Sequence, residues 1–146
     1  MALACDITRF ATLFIHLTEE IHNTVAHQYQ ASNRASVLKL GEQQRYYYRK
    51  GARFLQRLQE FGILDSTLVH MTSDMGDPNA HSVRMLPTVL AGGLNGKIKM
   101  GRRLTVKSAN NRLLVSIAQA FGLSGVTSYG SVMAAEAMTG PLPGLA

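Results

Sequence analysis

The sequence predicts an α/β fold around a partly parallel sheet. Three observations lead there. Residues 36–61 place apolar side chains at helical spacing, β-prone runs stand on either side at 7–15 and 66–72, and a second helical stretch occupies 113–121. Strand, helix, strand, strand, helix is the order expected when helices return the chain to one sheet. A chain of 146 residues fits a single domain, 1–146, able to bury about 68% of its unfolded surface.

The elements follow in order. Residues 3–17 are apolar and rich in Thr, Ile and Phe, interrupted by Asp6 and Arg9. Within them 7–15 reads as a buried strand, with a helix as the other reading of so mixed a run. Residues 19–30 are polar and hold His22 and His27, which suits a loop or a short helix. The stretch 36–61 is the clearest helix. Val37, Leu40, Gln44, Tyr47, Gly51, Phe54, Leu58 and Phe61 recur at steps of three and four, forming one face. Gly62 stands just past the last of them, where a helix stop belongs.

Residues 66–72 then give a short β-rich run, predicted to be buried on both faces, and 87–91 a further apolar segment. "GGLNG" is turn chemistry. "KIKMGRRLTV" alternates basic and apolar residues around Gly101, the pattern of a hairpin. Asn110 or Asn111 can cap the helix through 113–121, which Gly122 stops. The tail, "YGSVMAAEAMTGPLPGLA", reads as irregular.

Composition narrows the classes. A net charge of +6 permits nucleic acid, anionic lipid or acidic ligands and selects none. The lone cysteine, Cys5, excludes an internal disulfide and the cysteine-based zinc modules; its apolar setting suggests a buried, inert thiol. No apolar run approaches the ~18 residues of a membrane span. "MALACDITRF" does not read as a signal peptide, because Asp6 and Arg9 break the apolar run and no basic region precedes it. An opening inside an apolar run suggests a chain derived from a longer one. Walker, Rossmann and Gly-x-Ser-x-Gly patterns are missing.

The oddest chemistry is "SDMGDPNAH", residues 73–81. Asp74 falls where an apolar run gives way to a loop, and open α/β sheets bind ligands at such strand ends. His81 follows across that loop, close enough in sequence to address the same ion. Carboxylate and imidazole together suit zinc, manganese or a similar divalent ion. The competing account is a capped turn, since Asp and Asn satisfy turn backbone without any ligand. His22 and His27 lie five apart, a poor spacing for one α-helical face but acceptable for a loop, and by themselves read as exposed surface histidines. His16 and His70 sit inside apolar runs and read as histidines at the edge of a core.

A second kind of chemistry lies on the long helix. Arg45, Arg49, Arg53 and Arg57 form a stripe at four-residue spacing, with Tyr46, Tyr47 and Tyr48 beside it. Such a stripe can bind phosphates and stack bases, or be an ordinary solvated helix face. Lys97, Lys99, Arg102 and Arg103 add a second basic cluster.

One resemblance spans nearly the whole chain. "CDITRFATL", "IHNTVAHQ", "LDSTLVHMTSD", "SDMGDPNAH", "LPTVLAGG", "GKIKMGRRL", "NNRLLVSIAQAFGL" and "GPLPGL" occur in this order. The series resembles the C-terminal part of a bacterial family known as domain of unknown function 1552, which looks related to the alkaline phosphatase and sulfatase superfamily. The resemblance implies a partial three-layer α/β/α sandwich, the C-terminal half of an alkaline phosphatase-like domain, with a mostly parallel sheet. It implies metal ligands at Asp74 and His81, and others at His22 and His27, holding zinc, manganese or calcium. Met75 stands where the superfamily commonly has a histidine, and the half that carries its nucleophile has no counterpart here.

Two functions are therefore expected. One is a phosphatase/sulfatase-like, divalent-metal-binding hydrolase fragment, inactive by itself and completed by a separate N-terminal half or by a second copy. The other is a small basic module for nucleic acid or another polyanion. Members of the resembled family look exported, which leaves the compartment of this chain open.

Overall fold

The computed structural model describes residues 2–15, 18–130 and 139–145. In chain order these hold α1 (Glu19–Ile21), a π-helical turn (His22–Ala26), α2 (Arg34–Glu60), β1 (Val69–Thr72), β2 (Thr88–Ala91) and α3 (Asn110–Ala120). The chain divides into two compact units, Met1–Leu64 with Val69–Ala91 and Asp65–Leu68 with Gly92–Ala146.

In the first unit α2 is the predicted long helix, begun two residues earlier. Asn33 caps it: its Oδ1 accepts from the backbone N–H of Ala35 at 3.0 Å and of Ser36 at 3.3 Å. Gly62, at φ 69°, ends it in the left-handed backbone that glycine adopts without penalty. The less exposed positions are Ser36, Leu40, Gln43, Tyr47, Gly51, Leu55 and Leu58. That face is rotated slightly from the predicted one, favouring Gln43 over Gln44 and Leu55 over Phe54. Gly51 sits on it because Met71 of β1 packs there; a β-carbon at Gly51 would collide with the Met71 sulfur. Val25, Ala26 and Leu58 are this unit's buried apolar side chains among the described residues.

The sheet corrects the predicted architecture. β1 and β2 form a two-stranded antiparallel sheet, with Val69 opposite Ala91 and Thr72 opposite Thr88. A three-layer α/β/α sandwich with a mostly parallel sheet is not what this chain forms. The reason lies in residues 73–87. A parallel return needs a crossover, usually a helix, and this connection instead folds back through a bridge between Asp77 and Ser82. β1 is shorter than the run 66–72 and half-exposed, not buried on both faces.

The N-terminal run also departs from expectation. Residues 7–15 form neither strand nor helix. β propensity reflects packing on a pleated surface, and none is offered here: the chain turns at Ala2–Ile7, with Ile7 N–H donating to Ala2 O at 3.0 Å. Ile7, Phe10, Leu13 and Phe14 stay 77–79% exposed. Cys5, expected to be buried, is exposed as well.

In the second unit α3 carries the core. Val115 is fully buried, and Leu94, Ile98, Leu113 and Leu145 are nearly so. Its N-cap is Ala109, without a side-chain cap, so neither Asn110 nor Asn111 plays that part. Of the tail expected to be irregular, 131–138 lie outside the described residues; 139–145 are irregular, and α3 holds them through side chains. Arg112 donates to Pro141 O at 2.9 Å, and Ser116 Oγ accepts from Leu142 N–H at 2.7 Å. The predicted hairpin at 97–106 is not formed. Ile98 N–H donates to Gly93 O at 3.1 Å, closing the turn around 93–98. Residues 99–106 then run on without a ladder partner among the described residues. No described helix is long and apolar enough to cross a membrane.

Candidate functional site

The site starts from the turn after α1. A spacing of five separates His22 from His27, which would splay them on an α-helix. Here the backbone is π-helical: His27 N–H donates to His22 O at 3.1 Å. That wider turn brackets the two residues, and their rings meet edge to face with centroids 4.5 Å apart. The turn is fastened along its length. Thr18 Oγ1 accepts from Ile21 N–H at 3.3 Å, Thr24 Oγ1 donates to Glu20 O at 2.7 Å, and Lys39 of α2 donates to Thr24 O at 2.9 Å.

The third ring comes from the connection between β1 and β2. Ser82 N–H donates to Asp77 O at 3.0 Å, and both Gly76 and Asp77 return their N–H groups to Ser82 O, at 2.9 and 3.3 Å. Asp77 Oδ1 also accepts from Ala80 N–H at 3.0 Å. These bonds pin a tight turn with His81 at its edge, at φ 49°. Left-handed backbone costs a residue with a β-carbon about 1–2 kcal/mol, and the paired strands of the turn offset it. The result aims the His81 ring at His27, with centroids 5.0 Å apart and planes at 48°. Gly76 is required for this turn: a β-carbon there would collide with the carbonyl oxygen of Arg84.

The structure thus brings His22, His27 and His81 together. Asp74 is exposed, its Oδ1 accepts from Ser73 Oγ at 3.4 Å, and among the described residues no hydrogen bond or ion pair joins it to the rings. His70 sits half-buried in β1, consistent with the core edge. Burial lowers its pKa from the ordinary histidine value, because the imidazolium would lose hydration there. Among the described residues its Nε2 has no hydrogen-bond partner. His16 lies outside the described residues. Sequence reading passed over Asp77 and Gly76 as turn formers; "GDPN" marks a turn without showing what the turn delivers.

The His27 ring contacts the rings of both His22 and His81. Among the described residues, no group of three His, Cys, Asp or Glu side chains stands ready-made to hold a metal. The donor set nonetheless suits one chemistry. Imidazole nitrogens are the preferred ligands of zinc and its neighbours, and no carboxylate is hydrogen-bonded to these rings among the described residues. Compared with protein-family models, curated proteins and solved structures, the chain matches none of them.

Proposed function

We propose that this chain binds one divalent transition-metal ion through His22, His27 and His81. A single observation carries the reading: the His27 ring meets His22 of its own turn at a centroid distance of 4.5 Å and His81, from a segment far away in sequence, at 5.0 Å. The strained backbone at His81 supports it, because left-handed side-chain-bearing residues cluster where a function holds them. So does the resemblance, which implies ligands at these same positions. Of zinc, manganese and calcium, nitrogen donors favour zinc; calcium and manganese prefer oxygen, and Asp74 is not bonded to the rings. A bound ion would supply Lewis-acid chemistry. The residues described here would hold and orient it, and no nucleophile for ester hydrolysis is assigned.

Calorimetric titration with zinc and with manganese tests this on the parent chain, Asp74→Ala and the double variant His27→Ala, His81→Ala. Zinc should saturate at one ion per chain and bind more tightly than manganese. The double variant should lose about tenfold or more in affinity, while Asp74→Ala changes little. Zinc binding unchanged in the double variant would remove these histidines from any metal role and leave them a packed aromatic cluster.

The apolar residues at 7–15 support a further part of the reading, association with a second copy or a separate partner chain. Contiguous exposed apolar surface usually marks an interaction site.

A further inference from the structure

The face of α2 opposite its packed side is left without a role by the histidine site. Arg45, Tyr46, Arg49, Lys50, Arg53 and Arg57 are all exposed on it. Steps of four residues overshoot one helical turn by about 40°, so the arginines wind gradually round the helix as a basic ribbon. The buried Leu58 and half-buried Tyr47 and Gly51 lie on the other side. Between Glu42 and Glu60 the helix has no acidic residue. Among the described residues only Arg57 of this ribbon has an ion pair, with Glu60. Arg45, Arg49, Lys50 and Arg53 have none.

An isolated solvated helix face normally interleaves both signs, which relieves self-repulsion and adds stabilising pairs at i, i+4. This one instead repeats like charges at that spacing. It also carries an aromatic ring. Tyr46 is 52% exposed within the ribbon, with the Lys50 ammonium 5.2 Å from its ring centroid. Tyr47 turns toward the packed side and contributes only an edge-to-face contact to Tyr46, at 5.5 Å.

We propose that this face of α2 binds single-stranded nucleic acid. The guanidinium groups of Arg45, Arg49 and Arg53 track the phosphate backbone, and Tyr46 offers a surface on which an unpaired base stacks. Charge complementarity supplies the affinity and the exposed ring sets the preference for a strand whose bases are free. The site is independent of the histidine cluster and requires no metal.

Fluorescence anisotropy of the full chain with labelled single-stranded DNA and RNA of mixed sequence tests it, with the matching duplex as competitor and chelator present throughout. Each phosphate neutralised on a single strand contributes about −0.7 to the slope of log affinity against log salt. Three contacts therefore predict a slope of about −2. Arg49→Gln with Arg53→Gln keeps good helix formers, so circular dichroism should be unchanged while the slope falls by about 1.4. Tyr46→Ala should weaken single strands about fivefold or more and leave the duplex unaffected. Lys97→Gln with Lys99→Gln should not alter binding. No binding at low salt, an unchanged slope in the arginine double variant, or a duplex bound more tightly than the single strand would overturn the proposal.

Discussion

His27 and His81 stand with their ring centroids 5.0 Å apart, although one belongs to a π-helical turn and the other to the loop between two strands. The contact exists because the Gly76–Ser82 turn has one shape. Gly76 admits the Arg84 carbonyl, Asp77 caps Ala80, and Ser82 bonds back to both Gly76 and Asp77. Gly76→Ala puts a methyl against main chain that cannot rotate away. It should cost about 1–3 kcal/mol, as overpacking does, and weaken zinc binding with it. Urea unfolding and zinc titration of the same variant check both effects. A parent-like unfolding midpoint would show that the loop takes another shape.

Acid should weaken the fold through His70. Its pKa is lowered by burial and its Nε2 has no partner among the described residues. Above the ordinary histidine pKa, the folded and unfolded chains both hold it neutral, and its contribution to stability is complete. Below that value the unfolded chain takes up a proton that the folded chain resists, so stability falls as pH drops toward the lowered folded value. Urea midpoints measured between about pH 7.5 and pH 5.5 should decline less steeply in His70→Leu than in the parent. Equal slopes would show that His70 stays solvated.

Residues 7–15 should drive association. Ile7, Phe10, Leu13 and Phe14 are more than three-quarters exposed, and solvent contact over that much apolar surface favours self-association or capture of a partner. Light scattering should give a mass that rises with protein concentration, accompanied by binding of an apolar dye. Phe10→Ser with Phe14→Ser should lower both. A concentration-independent monomer that binds no dye would contradict the expectation.

What the sequence revealed follows the range of the interactions involved. α2 was legible because its capping, periodicity and glycine stop are all local, and only its packed face was misjudged by a residue. The strand β1 was legible in part, as the second half of the β-rich run 66–72, while 87–91 read only as an apolar segment. Their pairing was not, because it depends on how 73–87 reverses the chain, and "GDPN" indicates a turn without its direction. Residues 7–15 and 97–106 show the opposite failure, apolar or alternating patterns that form no strand among the described residues. At the site, the residue types were readable from the sequence, while the meeting of His81 with His22 or His27 was expected only through the resemblance, which placed Asp74 with them. The spacing of His22 and His27 looked unfavourable only under α-helical geometry, and nothing near His81 announces His27. Asp74, the most suggestive residue in the sequence, bonds through its side chain only to its neighbour Ser73 among the described residues.

The most direct test of the histidine site is nitrogen-detected NMR of the imidazole side chains during a zinc titration. The chain has five histidines, so each can be followed separately. Three of them, His22, His27 and His81, should move together and reach their end points at one zinc per chain, while His70 stays in place. The ring nitrogens should take on metal-bound shifts, and acidification should reverse them, because protons compete with zinc for the same lone pairs. If His22, His27 and His81 shift independently, or keep their metal-free positions beyond one equivalent of zinc, the three rings do not form a metal site.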